Sequence, residues 1–279
     1  MKWFIFKLFK FVPDALFAQI LFFIKLKYVL NLKHPRSINE KVVYLKLNTQ
    51  SDLREIAVDR LKVRDYVVSK SSDIKLIELL WSGADFKGID YDNLPERFVV
   101  KANHGSGMVL IADKNRHSYQ YIRDLIQEWN DFDYGGLTRE PLYTKLEKFV
   151  VVEKFLTIGS EVPPDFKFTC IHGKVELIQV DLDRFNGHKR NLYTASFERI
   201  DNATSYEPGE SIGKPECFDQ AIKVAEQLAV DFDFIRVDLF LLDDGIYFGE
   251  LTNFPHNGME PYSKWLDFEL GQKLTLGNV

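Results

Sequence analysis

The sequence predicts an α+β fold. Helical signals with a basic, aromatic-rich character fill the first part of the chain, strand–turn–strand signals then occur three times, and amphipathic helices separate them. At 279 residues, 46% hydrophobic and 28% charged, the composition is globular and long enough for one large or two small cores. The two cysteines, Cys170 and Cys217, lack CxxC or Cys/His zinc spacing and read as reduced packing residues of a cytoplasmic protein.

The formal charge of −5 is unevenly spread. Residues 1–34 carry Lys2, Lys7, Lys10, Lys25, Lys27 and Lys33 against Asp14 alone, a balance of +5 that leaves −10 on the remainder. A body that acidic argues against nucleic acid as a partner. The longest uncharged run in the basic segment, Ala15 to Ile24, is ten residues, too short to span a bilayer. Lysines punctuating its apolar part, and the lack of a small-residue cleavage site, argue against a signal peptide. Two readings stand for residues 1–30: a pair of amphipathic helices docked on the body, which is the commoner arrangement, or an interfacial helix making peripheral contact with anionic lipid at the inner face of the membrane.

In chain order, His34-Pro35-Arg36-Ser37 is a loop, and Ser37 with Glu40 forms a Ser-x-x-Glu capping box that opens a helix. Leu53 to Lys70 reads as one further helix whose charged Asp59–Arg64 stretch reads as a solvated face. Phe98-Val99-Val100-Lys101 is a β-branched strand ending in Ala102-Asn103-His104-Gly105-Ser106-Gly107, with Met108–Ile111 as the returning strand. Backbone amides of such a loop can fold over phosphates while Lys101 supplies a point charge. The lysine precedes the glycines and a strand follows them, so this is neither a P-loop nor a dinucleotide fingerprint. His104 reads as a turn or packing residue.

Tyr119 to Trp129 is an amphipathic helix, and Phe149 to Phe155 a buried strand carrying Glu153 into a hinge-like loop. Asp165–Ile171 and Lys174–Val180 form a hairpin about His172-Gly173, with Asp165 and Lys167 on one face by period two. Residues 186–213 read as a polar loop, and Phe218 to Ala229 as a helix. The last hairpin, Phe234 to Asn253, turns at Asp243-Asp244-Gly245; a three-residue loop pairs Leu242 with Ile246 and sets Asp238 opposite Glu250. Two carboxylates that close are costly to bury without a cation between them. Either they hold a hard divalent ion together with phosphate oxygens, or they face water on an exposed edge.

Taken together, Asn39-Glu40-Lys41, Phe98 to Gly107, Val152 to Phe155, Asp165-Phe166-Lys167, Phe234 to Leu239 and Phe248 to Thr252 run in an order that resembles the ATP-grasp superfamily, and within it the TupA-like branch associated with teichuronopeptide and other surface-polysaccharide synthesis. The resemblance implies an ATP-grasp fold: a helical N-terminal segment (1–92), a first lobe with the glycine-rich loop (93–155) and a second lobe with the metal site (156–279), the lobes clasping ATP and Mg2+. It implies that Lys101 contacts the α/β phosphates and that Gly105, Ser106 and Gly107 close over the β/γ phosphates. Backbone groups of Glu153, Lys154, Phe155 and Leu156 would bind adenine, Glu161 the ribose, and Arg64 a phosphate. Arg236 would stabilise the transferred phosphoryl group, and Asp238 and Glu250 would hold the metal. Many ATP-grasp enzymes place a ligating Asn two residues after that Glu. Here Thr252 stands there, with Asn253 the displaced candidate. The implied activity is a carboxylate–amine ligase acting through an acyl phosphate on a small-molecule or polysaccharide-precursor substrate. A nucleotide-sugar glycosyltransferase, a kinase-like phosphotransferase and a non-catalytic nucleotide scaffold are the alternatives.

Overall fold

The computed structural model describes residues 11–49, 51–159, 162–182 and 187–277. Helix α1 (Asp14–Leu26) is followed by α2 (Ile38–Asn48), α3 (Asp52–Val58) and α4 (Lys62–Lys70). The predicted capping box opens α2. The Ser37 hydroxyl accepts the Glu40 amide at 3.1 Å, and Glu40 Oε2 accepts the Ser37 amide at 3.0 Å. The expected single helix over Leu53–Lys70 is two. Asp59 interrupts it because its buried carboxylate Oδ1 accepts the amides of Leu61 and Lys62, both at 3.0 Å, capping α4 from outside the helix. That break matters for the site, since the freed Arg60 amide donates to Asn103 Oδ1 at 2.8 Å and the Arg60 Nε to the Ala102 carbonyl at 2.9 Å.

Two sheets follow. Strands β1 (Ile74–Leu76), β2 (Leu79–Gly83), β3 (Arg97–Ala102) and β4 (Val109–Asp113) precede α5 (Tyr119–Asp131), α6 (Tyr134–Thr138), α7 (Pro141–Thr144) and β5 (Val150–Lys154). Then come β6 (Asp165–Ile171), β7 (Lys174–Leu182), β8 (Lys189–Tyr193), β9 (Arg199–Ile200), α8 (Phe218–Ala229), β10 (Phe234–Leu242), β11 (Gly245–Thr252) and α9 (Lys264–Lys273). The smaller sheet has the order β2-β5-β3-β4 and the larger β1-β11-β10-β6-β7-β8-β9. The segment before residue 93 is therefore not helical throughout: it supplies one edge strand to each sheet, and β1 runs parallel to β11. Residues 186–213 are not all loop either. Arg190 in β8 faces Asp181 in β7, and this buried ion pair hides the strand behind a polar sequence.

Helices close both faces of the large sheet and one face of the small sheet; those at 119–131 and 218–229 are anticipated by apolar spacing, and α9 is not anticipated. Ala221, Val224, Ala225 and Leu228 of α8 pack on Phe168, Ile178, Val180, Ile235 and Val237 of the large sheet. On its other face Ile38, Val42 and Leu45 of α2 and Leu266 and Leu270 of α9 cover Leu177, Leu192 and Phe234. Ile122 and Ile126 of α5 close the small sheet over Phe98, Val100, Val150 and Val152. Helix α1 is docked: Phe17, Ala18 and Phe22 are buried, and Ala18 and Phe22 join Val43 and Met259 in one cluster. Arg139 pairs with Asp14 at 3.0 Å and donates to the Val12 carbonyl at 3.2 Å. The expected partner helix in residues 1–10 lies outside the described residues. No described helix is long and apolar enough to cross a membrane.

The β10–β11 hairpin differs from its expected register in two ways that cancel. Its loop is the two residues Asp243-Asp244, so Leu242 pairs with Gly245, not with Ile246. A bulge at Gly249 then inserts one residue, and Asp238 faces Glu250 as expected. Gly249 is required there, because a Cβ at this position would lie 2.8 Å from the Asp238 carbonyl oxygen. Gly249→Val is expected to lower stability by about 1–3 kcal/mol, read from the urea midpoint, by forcing the two strands apart at the acid pair. An unchanged midpoint would show that the bulge tolerates a side chain.

Candidate functional site

Between the two sheets a cleft gathers residues from several elements. The α3–α4 break contributes Arg60, α4 contributes Arg64, β3 and β5 contribute Lys101 and Glu153, and β11 contributes Gly249 and Glu250. Lys101 and Glu153 share the small sheet, and Lys101 Nζ lies 2.6 Å from Glu153 Oε2. Arg64 Nη1 reaches the other oxygen of Glu153 at 3.3 Å, and its Nη2 donates to the Ile77 carbonyl at 2.8 Å. Arg64 is thus aimed inward, not spread on a solvated face. Three cations converge on this cleft while Glu153 neutralises only part of their charge, and Tyr143 completes the wall. A cleft so charged suits a polyphosphate, and the glycine loop follows directly on the strand that carries Lys101.

In that loop Gly105 is buried, whereas Ser106 and Gly107 are exposed, and Gly107 takes the left-handed conformation with φ +77°. Ser106 is hydrogen-bonded to Tyr134, whose hydroxyl donates to Glu140 at 2.9 Å. His104 is a packing residue, as expected. Its Nε2 bonds the Trp129 carbonyl at 2.8 Å, and burial lowers its imidazole pKa. Beyond β5, the Lys154 amide is committed to the Glu78 carbonyl at 3.0 Å and the Phe155 ring lies under the Arg97 guanidinium at 4.3 Å. Leu156 follows, and Glu161 lies outside the described residues.

The acid pair has a cation between its members, and that cation is Arg236. Its Nε and Nη2 grip Asp238 at 2.6 and 2.7 Å in a two-pronged pair. The same Nη2 reaches Glu250 Oε1 at 3.3 Å and Thr252 Oγ1 at 3.1 Å. From the neighbouring strand Lys167 adds a second contact to Asp238 at 2.8 Å and also binds Asp165. Burial by itself would push the Asp238 carboxyl up, but Arg236 and then Lys167 override it and hold the pKa at about 2. The same acids keep Arg236 above its ordinary value against the opposing effect of burial.

Asn253 does not belong to this cluster. Its Oδ1 accepts from Arg54 at 3.0 Å and its Nδ2 donates to the Arg54 backbone carbonyl at 3.0 Å, deep in the body. Strand alternation explains why. Thr252 shares the Glu250 face and donates to Glu250 at 3.0 Å, so the next side chain must point the other way. Among the described residues no three acids, histidines or cysteines come together as metal ligands. Carboxylate oxygens for a Mg2+ held together with phosphate remain on both acids: Asp238 Oδ1 accepts a single bond, from Arg236 Nε, and the Glu250 side chain, whose Oε1 takes the contacts to Arg236 and Thr252, is 43% exposed and lines the cleft.

Arg60, Tyr143 and Lys167 were not anticipated in the site. The density of charge over residues 59–64 was the available signal for Arg60, and the shared strand face with Asp165 was that for Lys167.

A sheet-on-sheet clasp with a glycine loop on one side and an Arg/Asp/Glu cluster on the other is the ATP-grasp fold. The family described as TupA-like ATPgrasp matches residues 40–275, and the chain belongs to it. Among solved structures it is similar to the D-alanine–D-alanine ligase of Bacillus anthracis complexed with ATP (15% identity, TM-score 0.42, covering 71% of this chain and 54% of that one). It is also similar to the D-alanine–D-alanine ligase of Helicobacter pylori (14%, 0.45, 85% and 69%) and to the ATP-grasp ligase PsnB with its minimal precursor (11%, 0.44, 85% and 68%). The chain spans about half to two thirds of the length of these proteins. No curated protein matches it.

The depressed pKa of Asp238 fixes a pH window. Its folded value of about 2 lies below the ordinary 3.8, so its contribution to stability is fully present above about pH 4 and is lost as pH falls toward 2. That contribution is roughly 2 kcal/mol. Urea midpoints of wild type and Asp238→Asn measured from pH 6 downward are expected to converge through this window. Parallel curves would show that Asp238 is not held ionised by its partners.

Proposed function

We propose that this protein is an ATP- and Mg2+-dependent ligase that joins a carboxylate to an amine through an acyl phosphate. The observation that carries the reading is the convergence of Lys101, Arg64 and Arg60 on one cleft that Glu250 also lines, with Arg236 joining Glu250 to Asp238. Lys101 and Arg64 hold the phosphates of ATP, drawn away from Glu153, and Gly105, Ser106 and Gly107 cover the terminal phosphates through backbone amides. Adenine lies against the chain from Glu153 through Lys154 and Phe155 to Leu156. Asp238 and Glu250 would hold Mg2+, which would supply neutralisation of the phosphate charge. Asn253 has no part in that site.

A carboxylate oxygen of the substrate attacks the γ-phosphorus, the bond to the ADP oxygen breaks, and ADP leaves. The amine nitrogen then attacks the acyl carbon, phosphate departs with the C–O electron pair, and the nitrogen loses its proton. Arg236, held in place by Asp238 and Thr252, faces the charge that gathers on the transferred phosphoryl group. Most of this chemistry is positioning and charge neutralisation, so it requires no nucleophilic side chain. In this reading the acyl donor is an acidic sugar or amino acid of a surface polysaccharide.

The test is nucleotide release with uronic acids or acidic amino acids and candidate amines. Mg2+-dependent formation of ADP, phosphate and an amide is expected, and Lys101→Ala and Glu250→Gln should each lower kcat/KM on the order of a hundred- to a thousand-fold with the fold intact by circular dichroism. AMP as product would contradict the acyl-phosphate route. A phosphorylated product without amide would identify a phosphotransferase, and turnover of sugar nucleotides in place of ATP a glycosyltransferase.

A further inference from the structure

Helix α1 has two apolar faces, and the fold uses only one. Phe17, Ala18 and Phe22 are buried against the body. Leu16, Ile20, Phe23 and Ile24 recur at i, i+4, i+7 and i+8 on the opposite side. Of these, Leu16, Phe23 and Ile24 are 47%, 54% and 55% exposed, and the segment continues with Phe11 at 94% and Val29 at 74%. Five of the twelve large exposed hydrophobics among the described residues therefore fall within residues 11–29, a concentration that scattered surface residues do not produce.

The charge around this face identifies what it meets. Lys27 and Lys33 are exposed in the segment that follows the helix, Lys2, Lys7 and Lys10 precede it in sequence, and residues 1–34 carry +5 against −10 on the rest of the chain. A protein so polarised approaches a negative surface with residues 1–34 foremost and is repelled elsewhere. Lysines flanking a stripe of Phe, Leu and Ile are the composition of a helix lying in the plane of an anionic interface. We propose that the outer face of α1 inserts into the surface of an anionic bilayer while its inner face stays docked. Docking and lipid contact, alternatives by sequence, thus belong to opposite faces of one helix. The Asp14–Arg139 pair and the packing of Phe22 keep α1 fixed to the body, so lipid contact would give the whole molecule one orientation on the membrane.

Sedimentation of the full chain with vesicles tests this. Wild type is expected to pellet with phosphatidylcholine vesicles containing phosphatidylglycerol, to remain in the supernatant with phosphatidylcholine alone, and to be released by high salt. The double variant Phe23→Ser, Ile24→Ser, at positions that touch neither core nor cleft, should bind roughly tenfold or more weakly while melting at the wild-type temperature. Wild type that stays in the supernatant, or a variant that pellets equally, would overturn the proposal. So would a dimer in solution that dissociates on the same two substitutions, since the face would then be covered by a second copy.

Discussion

The guanidinium of Arg236 is the contact on which the site depends. Asp238 is almost wholly buried, and Glu250 faces it across the hairpin. Their repulsion in a low-dielectric setting would open the sheet at its centre without a positive group in reach of both. Arg236 supplies it from two residues away on the same strand face, and Lys167 adds a second positive charge from the next strand. The consequence is that Asp238 is kept ionised although buried, with Glu250 oriented beside it by Arg236 and Thr252. In the proposed function this pair would meet a divalent cation brought in with phosphate without a rearrangement of strands.

The rest of the architecture serves that arrangement. The bulge at Gly249 sets the register of the acids, and the buried Arg54, bound to Asn253, Asp233 and the Phe234 carbonyl, fastens α3 to both ends of the hairpin. Helix α3 then leads through Asp59 to Arg60 and Arg64, so the element that clamps the hairpin also carries two cations into the cleft. Glu153 holds Arg64 and Lys101 together from the small sheet. Through these contacts a phosphate entering the cleft would compete with one carboxylate for two cations, which gives both lobes a reason to respond to the nucleotide.

Much of this was legible in the sequence. The helices at 38–48, 119–131 and 218–229 announce themselves by capping and apolar period, and three hairpins by β-branched runs around turn residues. The opposition of Asp238 and Glu250 was also legible, although by a loop one residue too long and a bulge left out. What escaped was held by long-range pairing that no local pattern encodes. The break at Asp59 depends on a side chain capping its own downstream turn, strand β8 on an arginine whose partner lies on another strand, and the inward aim of Arg64 on Glu153 in the other sheet. Asn253 shows the converse. Period two already turned it away from the acids, and the structure assigns its amide to Arg54.

The central claim is that the Arg236-centred acid pair and the Lys101 cleft form one nucleotide–metal site. An anomalous difference map from crystals grown with ADP and Mn2+ tests it most directly. The account predicts a peak in contact with Asp238 and Glu250, with the diphosphate reaching Lys101 and Arg64. A bound nucleotide whose metal lies away from both acids, or a peak at Asn253, would contradict it.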